Sequence, residues 1–393
     1  MPKSTCPACG AEAGEAFFRV ESAPTLCHRL CRTHHEALEQ PRGAIELALC
    51  GSCGLVYNQA FDPGLIQYDG EYENALHYSG VFREYAEGLA RDLVERHEVR
   101  GKTVAEIGCG DGQFLEALCR AGGNRGLGFD PAYSADRHGT PGDGRIRIVP
   151  KLFDVDSMER IDLGLVCCRQ VLEHIDEPSA FVRRLRSSLG HRSIPVFFEV
   201  PSALHTLERR GFWDVIYEHV TYFTPPALRM LFERAGFEVL RLAELYAGQF
   251  LVIEARLGAT EQNAITRHAE LEEFRRLAGS FAQQFAELRS EWRERLKELR
   301  REGRPVVIWG AGSKTVMFLN HLSAGAKEIA CVVDRNPRKH GCFVVGTGQE
   351  IISPAQLKDL APDVVILLNP AYEKEVREDL AALAPRAALE SVA

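Results

Sequence analysis

The chain has 393 residues, of which 45% are hydrophobic and 26% are charged, and its formal net charge is -8 at pH 7. These values are ordinary for a soluble globular protein of two or three domains, and the acidic balance disfavours a nucleic-acid-binding protein, which normally has a basic face. No stretch approaches the roughly 18 consecutive apolar residues of a membrane span, and the first residues do not lead into a signal-peptide core. We therefore expect a cytoplasmic protein whose 12 cysteines are buried thiols plus a metal site.

Two Cys-x-x-Cys motifs lie near the amino terminus, and each is followed by a glycine. Four thiolates from two such turns form the closed tetrahedral site that structural zinc prefers, so the predicted ligands are Cys6, Cys9, Cys50 and Cys53. The alternative is a chance placement of cysteines. Residues between the motifs offer rival ligands but lack the paired spacing, and we interpret them as a helical patch; they are Cys27, His28, Cys31, His34 and His35.

A tyrosine-rich segment at 67–79 follows the second cysteine motif and contains Tyr68, Tyr72 and Tyr78. Aromatic side chains with a polar tip suit two roles equally, closing over a substrate or packing one domain against the next. Residues 1–78 are thus predicted to form a zinc-binding domain that caps the substrate. An amphipathic helix at 81–97 leads into the next domain.

The centre of the chain contains a buried strand that leads into a glycine-rich turn and then a helix. The hydrophobic stretch 103–107 is followed by Gly108, Gly110 and Gly112, and apolar residues then recur at helical spacing. Glycines let the backbone approach a ligand, and the helix start offers free N–H groups. A second strand ends at Asp130, an acid of the kind that binds ribose hydroxyls. Together these features resemble the S-adenosylmethionine (SAM) site of class I methyltransferases; a glycine turn in another doubly wound protein is the alternative.

A third strand, predicted over 162–168, runs into polar residues at 170–175. Ligands of open α/β sheets bind outside the carboxyl ends of the strands, so three strands that end in polar residues describe one site. The predicted cofactor-binding residues are Glu106, Gly108, Gly110, Asp111, Gly112, Asp130, Pro131, Gln170 and Glu173.

The next predicted strand, 194–201, opens into a long loop with a cluster of tyrosine, glutamate and histidine side chains. Loops beyond the binding edge of a sheet commonly carry catalytic groups. His219 is the natural proton acceptor near neutral pH, and the adjacent Glu218 can orient it or raise its basicity. The alternative is that these side chains alternate along an extended segment and simply pack. The predicted catalytic residues are Tyr217, Glu218, His219, Tyr222 and His174. Two more strands, 236–246 and 250–256, complete a domain predicted at 79–258.

A long amphipathic helix is predicted at 265–299, within a linker that spans 259–300, because apolar residues recur in steps of three, four and seven. It can dimerise as a coiled coil, but packing on its own domains is the preferred interpretation.

A second glycine corner follows at 306–314, again with the order strand, glycine turn and helix. Further strands are predicted at 329–337 and 363–368, so residues 301–393 form a small Rossmann-like domain. Lys314 beside the helix start suits a diphosphate, and the residues predicted to bind substrate here are Gly310, Gly312, Ser313 and Lys314. An NAD-binding domain is the competing interpretation, but the third glycine of that motif is missing.

The order of these parts resembles the three-domain C-methyltransferases of deoxysugar biosynthesis. The resemblance covers nearly the whole chain and is carried by both cysteine motifs, both glycine corners and the segments 171–175, 199–201, 217–223 and 332–337. It implies methylation of a thymidine-diphosphate keto sugar on the carbon next to its carbonyl, with His219 as the base. The family run is usually Tyr-His-Glu-His-x-Ser-Tyr, whereas here 217–222 is one residue shorter and lacks the first histidine. This departure leaves the substrate and the methylated atom open.

The sequence thus predicts an α/β protein: a class I SAM-methyltransferase Rossmann-like sheet, a small amino-terminal zinc-binding module and a second Rossmann-like domain at the carboxyl terminus. The expected cofactors are SAM and structural Zn²⁺. The expected partner is a small molecule, a nucleotide sugar, with no nucleic acid or membrane, and the chain is a monomer or a homodimer. The alternative functions are an O-methyltransferase of a hydroxylated metabolite and a scaffold that binds SAM or a nucleotide without turnover.

Overall fold

The computed structural model describes residues 3–139, 141–142, 144–153, 161–209, 211–258 and 268–392. Its strands are β1 (Ala16–Pro24), β2 (Arg42–Leu49), β3 (Val56–Asn58), β4 (Thr103–Ile107), β5 (Arg125–Phe129), β6 (Ile146–Val149), β7 (Leu163–Arg169), β8 (Val196–Pro201), β9 (Thr221–Tyr222), β10 (Phe237–Leu245), β11 (Phe250–Leu257), β12 (Val306–Trp309), β13 (Cys331–Val333), β14 (Ile351–Ile352), β15 (Val364–Leu367) and β16 (Ala388–Ser391). Its helices are α1 (His34–Leu38), α2 (Gly80–Arg96), α3 (Gln113–Gly122), α4 (Ala135–His138), α5 (Pro178–Leu189), α6 (Ala203–Glu208), α7 (Pro225–Arg234), α8 (His268–Arg301), α9 (Ser313–Leu322), α10 (Leu357–Leu360) and α11 (Glu373–Leu383). None of these helices combines the length and the apolar character that a membrane crossing requires.

The amino-terminal sheet is antiparallel and has the strand order β1-β2-β3-β9. Most of the chain between the two cysteine motifs is therefore a β-hairpin. The predicted helical patch is wrong for Cys27, His28 and Cys31, which lie in irregular backbone, while His34 and His35 begin the short helix α1. The edge strand β9 belongs to the loop after β8, so this sheet includes a piece of the central part of the chain.

The central sheet has seven strands in the order β10-β11-β8-β7-β4-β5-β6. The strands from β8 to β6 are parallel, whereas β11 pairs antiparallel with both β8 and β10. Fully buried apolar residues fill β7 and β8, as expected for central strands covered on both faces. The carboxyl ends of β4, β5, β7 and β8 meet at one edge, as the predicted single site requires.

The carboxyl-terminal sheet is parallel throughout, with the order β14-β13-β12-β15-β16. Its central strands β12 and β15 are completely buried. The second predicted Rossmann-like domain is therefore present.

Helix α8 packs its apolar stripe against the chain's own sheets and helices. Phe281 and Phe285 lie edge-on to Phe18 of β1, with ring centroids 5.1 and 4.9 Å apart. Trp292 contacts Phe318 of α9 in the same way, at 5.3 Å. The preferred interpretation of the stripe, packing within the chain, is confirmed for the described part of this helix; the start of the predicted linker, 259–267, lies outside the described residues.

Candidate active site

The first glycine corner joins β4 to α3 and has the geometry of a ligand cradle. Gly108, Gly110 and Gly112 all have positive φ, at 71°, 54° and 84°, a region that side chains with a Cβ disfavour. A Cβ added to Gly110 would meet no heavy atom within 4 Å, so the space in front of this backbone is open. Asp130, directly after β5, accepts a hydrogen bond from the Gly110 N–H at 2.8 Å. The corner thus presents glycine backbone and one carboxylate to the same space.

The interior of this corner is acidic. Glu106 at the end of β4 is 3% exposed, and its Oε2 has no hydrogen-bond partner among the described residues. Burial raises the pKa of Glu106 to about 8, against the opposing effect of Arg169. A buried oxygen without a partner is unusual and is suited to a ligand that brings a donor or a positive charge. Since SAM carries both, the residues present fit this cofactor.

The other predicted cofactor residues lie around the same sheet edge, except for Glu173, which lies beside the histidines described below. Gln170 has a positive φ of 54° and donates to Glu199 of β8 at 3.2 Å. Asp111 lies 3.5 Å from His77 and 3.7 Å from Arg338 of the carboxyl-terminal domain. Pro131 is exposed next to Asp130. We call this first glycine corner, where the methyl donor SAM is expected to bind, the donor corner. Residues of both neighbouring domains therefore cover it.

His219 and His174 lie together beyond the ends of β7 and β8. Their ring centroids are 5.0 Å apart at an interplanar angle of 80°. His174 Nδ1 is hydrogen bonded to the Tyr68 hydroxyl at 3.0 Å, whereas His219 Nδ1 is buried without a hydrogen-bond partner among the described residues. Glu173 is 1% exposed and lies beside them, with its Oε1 3.9 Å from His174 Nε2. The structure thus places Glu173, which was predicted to bind the cofactor, beside the two histidines.

Glu218 fixes the loop that carries His219. Its Oε1 accepts the Cys27 N–H at 2.5 Å and its Oε2 accepts the Tyr72 hydroxyl at 2.8 Å, so both contacts come from the amino-terminal module. Thr221 and Tyr222 continue the anchoring, because β9 pairs with β3. Tyr68 and Tyr72 stand edge to face at 5.0 Å, and the Tyr68 ring lies 6.0 Å from that of His174. The tyrosine segment therefore contributes to the candidate site as well as to domain packing.

Burial controls the charge of these groups. It lowers the pKa of His174 to about 4 and that of His219 well below its ordinary value, where His174 and His28 act in the same direction. It raises the pKa of Glu218 to about 7, although the Cys27 N–H opposes this, and that of Glu173 to about 8. Both imidazoles are thus neutral near pH 7, the form that can accept a proton.

Three tyrosines that were predicted to belong to the site make other contacts in the structure: Tyr217, Tyr222 and Tyr78. Tyr217 is completely buried against Gly43 and Phe61, and its hydroxyl accepts the Asp62 N–H at 2.8 Å. The Tyr222 hydroxyl is bonded to both backbone groups of Ile216, although its ring lies 5.7 Å from that of His219. The Tyr78 ring lies 4.4 Å from that of His77, at an interplanar angle of 31°. The structure does not bring Tyr217 into the histidine cluster.

The second glycine corner faces the same region and repeats the first one's hydrogen bond. Asp334, directly after β13, accepts the Ala311 N–H at 2.7 Å, and Gly310 has a φ of 98°. The Lys314 ammonium is paired with Asp214 of the loop after β8, so it is not a free cation as the sequence implied. Gly312 and Ser313 lie at the start of α9. This corner therefore combines open backbone with a lysine that is ion-paired to Asp214.

Two side chains at this junction, Lys339 and His28, are not among the site residues predicted from the sequence. Lys339 is 5% exposed and donates to the Ala311 carbonyl at 2.9 Å, within 3.6 Å of Asp334. His28 packs on Tyr72 with ring centroids 5.6 Å apart, and its Nδ1 is buried without a partner among the described residues. Its pKa falls to about 3 through burial and the nearby Lys339 and His174. The weak signal for both was position alone: Lys339 follows an acid-tipped strand, and His28 lies among the rival metal ligands.

The four predicted metal ligands form one cluster. The sulfur atoms of Cys6, Cys9, Cys50 and Cys53 all lie within 4.8 Å of one another. Glycines with positive φ follow both motifs, at Gly10 and Gly54. The arrangement fits a closed tetrahedral metal site.

Comparison with known proteins agrees with this geometry. The family model described as "C-methyltransferase C-terminal domain" matches residues 256–388, and the one described as "Methyltransferase domain" matches 80–242. The C-methyltransferase NovU of Streptomyces niveus is 26% identical over 391 residues, which cover 95% of this chain and 91% of NovU. The chain is therefore similar to a C-methyltransferase over nearly its whole length. It is a SAM-dependent methyltransferase.

Two further proteins are similar to this chain over less than half of its length. The ubiquinone biosynthesis O-methyltransferase of Azorhizobium caulinodans is 28% identical over 185 residues, 40% of this chain and 70% of that protein. The magnesium protoporphyrin IX methyltransferase of Synechocystis PCC 6803, solved with bound SAM, superposes with a TM-score of 0.34 at 17% identity, covering 45% of this chain and 80% of that one.

Proposed function

We propose that this enzyme methylates the carbon next to the ketone of a nucleotide-linked sugar, with His219 as the general base. The observation that carries the proposal is the state of His219: its imidazole is neutral near pH 7, its Nδ1 is buried without a partner among the described residues, and its ring lies 5.0 Å from that of His174. The similarity to NovU supports carbon as the acceptor. A carbon atom needs such a base, because it becomes a nucleophile only as an enolate.

The side chains of the site divide the work between proton removal and charge stabilisation. His219 Nδ1 takes the proton from the substrate carbon, and Glu218 holds the loop through its bonds to Cys27 and Tyr72. His28, with its unpartnered nitrogen, and the Tyr68–His174 pair offer donors to the enolate oxygen. SAM supplies the methyl group as a sulfonium electrophile. His219 retains the proton until the methylated product leaves.

The second corner is proposed to bind the diphosphate of the substrate. Backbone N–H groups at the start of α9 and the cations Lys314 and Lys339 suit a phosphate-bearing ligand. The Lys314–Asp214 pair connects this corner to the loop that leads to His219. Binding of a diphosphate at the second corner would thus affect the loop that carries His219.

The decisive experiment measures exchange of the acidic proton in D₂O, without SAM, on a panel of nucleotide-linked keto sugars. We expect the wild type to exchange the proton next to the ketone and to transfer the methyl group to that carbon. His219→Ala should lower both rates by about 10²–10⁴-fold while SAM still binds. The exposed His191→Ala serves as the control. Methylation of a hydroxyl without carbon exchange would overturn the proposal in favour of an O-methyltransferase, and binding without turnover would favour a scaffold.

We further propose that the cysteine cluster holds one structural Zn²⁺. The four sulfur atoms leave no open coordination position, so the ion stabilises a segment with little core of its own. Metal analysis should find one zinc per chain at this site, and Cys6→Ser should lose it together with thermal stability. Free alkylation of Cys6 and Cys50 in the native, metal-free protein would contradict the proposal.

A further inference from the structure

The carboxyl group of Glu173 is left unexplained by methyl transfer. The residue is 1% exposed, and neither carboxylate oxygen has a hydrogen-bond partner among the described residues. A buried polar group in this state costs free energy unless a water, an ion or a ligand completes it. Glu173 therefore points to a partner that the described part of the chain does not provide.

Imidazole nitrogens of two histidines lie close to this carboxyl group. One ligand atom each from Glu173, His174 and His219 lie within 4.8 Å of one another. The Tyr68 hydroxyl holds His174 by its Nδ1, so that Nε2 faces the carboxyl group at 3.9 Å. A hydrogen bond to the far nitrogen is how proteins orient a histidine that binds a metal ion.

We propose that Glu173, His174 and His219 form a binding site for a divalent transition-metal ion. One carboxylate and two imidazoles are a common donor set for zinc, manganese and related ions. Tetrahedral coordination at about 2.1 Å places ligand atoms about 3.4 Å apart, so side-chain rotations that draw the three groups slightly closer complete the site. Solvent or a substrate oxygen fills the remaining positions.

This site differs from the cysteine cluster in its chemistry. Four thiolates are soft ligands and favour zinc, whereas the carboxylate and imidazoles also accept Mn²⁺, which thiolate sites disfavour. Mn²⁺ is therefore a selective probe for the Glu173 site in zinc-loaded protein.

The consequence for catalysis rests on the proposed function. A nitrogen lone pair of His219 that binds a metal ion cannot also accept a proton from the substrate. The ion should therefore inhibit, and it should compete with the keto sugar rather than with SAM.

The test is a titration of the zinc-loaded enzyme with Mn²⁺, followed by electron paramagnetic resonance of the free ion. The wild type should bind one Mn²⁺ per chain, and Glu173→Gln should weaken that binding at least tenfold. Glu106→Gln is a matched control, because Glu106 is also a buried carboxyl group with an unpartnered oxygen but lies in the donor corner. Equal binding by Glu173→Gln, or no binding by the wild type at millimolar Mn²⁺, would overturn the inference. His174→Gln gives a second reading if Glu173→Gln does not fold.

Kinetics separates this inference from the proposed function. Mn²⁺ should raise the apparent KM of the keto sugar without changing that of SAM, and Glu173→Gln should lose this inhibition. Binding of Mn²⁺ with undiminished methyl transfer would leave the metal site standing and would contradict the role of His219 as the base.

Discussion

The two glycine corners of the molecule share one backbone design and differ in charge. In each, an acid at the tip of the second strand accepts an N–H from the glycine turn: Asp130 from Gly110 at 2.8 Å and Asp334 from Ala311 at 2.7 Å. The first corner also contains the buried carboxyl group of Glu106, and its glycine turn, 108–112, has no lysine or arginine. The second adds Lys339, 3.6 Å from Asp334.

This difference shows how one supersecondary unit can serve two ligands of opposite charge. An acidic, open glycine turn suits a cationic sulfonium, and a turn flanked by ammonium groups suits a diphosphate. The contrast is electrostatic, so variants that change charge at one corner should leave the ligand of the other corner unaffected. Four predictions test this separation.

The largest effect is expected from Asp130→Ala, which removes the acid of the first corner and the partner of the Gly110 N–H. A charged hydrogen bond contributes about 1.5–3 kcal/mol, so the dissociation constant of SAM should rise about 10- to 100-fold. Calorimetry should find thymidine-diphosphate binding unchanged. An equal loss for both ligands would show that the corners are not independent.

A smaller effect is expected from Lys314→Met in the second corner. The variant removes one cation near the diphosphate, so nucleotide affinity should fall about tenfold and depend less on salt, while SAM affinity stays constant. Lys297→Met is the matched control, since Lys297 is also ion-paired, with Glu294 at 2.6 Å, but lies exposed on α8. Unchanged nucleotide affinity would remove Lys314 from the site.

The pH dependence of SAM binding should report the protonation of the Glu106 carboxyl group. Burial raises the pKa of its carboxyl group to about 8 in the free enzyme, so the group is largely protonated at pH 7. The positive charge of SAM favours the carboxylate, and binding therefore releases a proton. Affinity should rise up to tenfold per pH unit from pH 6 and level off above pH 8. Glu106→Gln should flatten this profile; an unaltered slope would assign the proton to another group.

The smallest effect is expected from Gly312→Ala. Gly312 has an extended backbone, with φ of -100°, and a Cβ there meets nothing within 4 Å, so the variant should fold normally. The methyl group would occupy space in front of the turn and lower nucleotide affinity several-fold, by about 1 kcal/mol. Gly279→Ala, which is equally open but lies within α8, should bind both ligands as the wild type does. Wild-type nucleotide binding by Gly312→Ala would place the ligand elsewhere.

Sequence reasoning predicted both corners because their signals are local. Glycine spacing and the switch from strand to helix periodicity are read within about ten residues. It did not predict the contacts of Tyr217, whose ring lies against Gly43, or the pairing of Lys314 with Asp214, 100 residues away. The hairpin between the cysteine motifs was also missed, since the sheet that it forms with β3, and through β3 with β9, depends on tertiary contacts. His28 became a site residue only through these long-range contacts.

The strand β3 has a consequence that reaches beyond the amino-terminal sheet. It begins three residues after Cys53 and pairs with Thr221 and Tyr222, two residues beyond His219. A single short ribbon thus ties the sulfur cluster to the imidazole that is proposed to abstract the proton. If a chelator removes the proposed zinc ion from the cysteine cluster, the position of His219 should become less well defined. Methyl transfer should then stop, although SAM still binds at the first glycine corner.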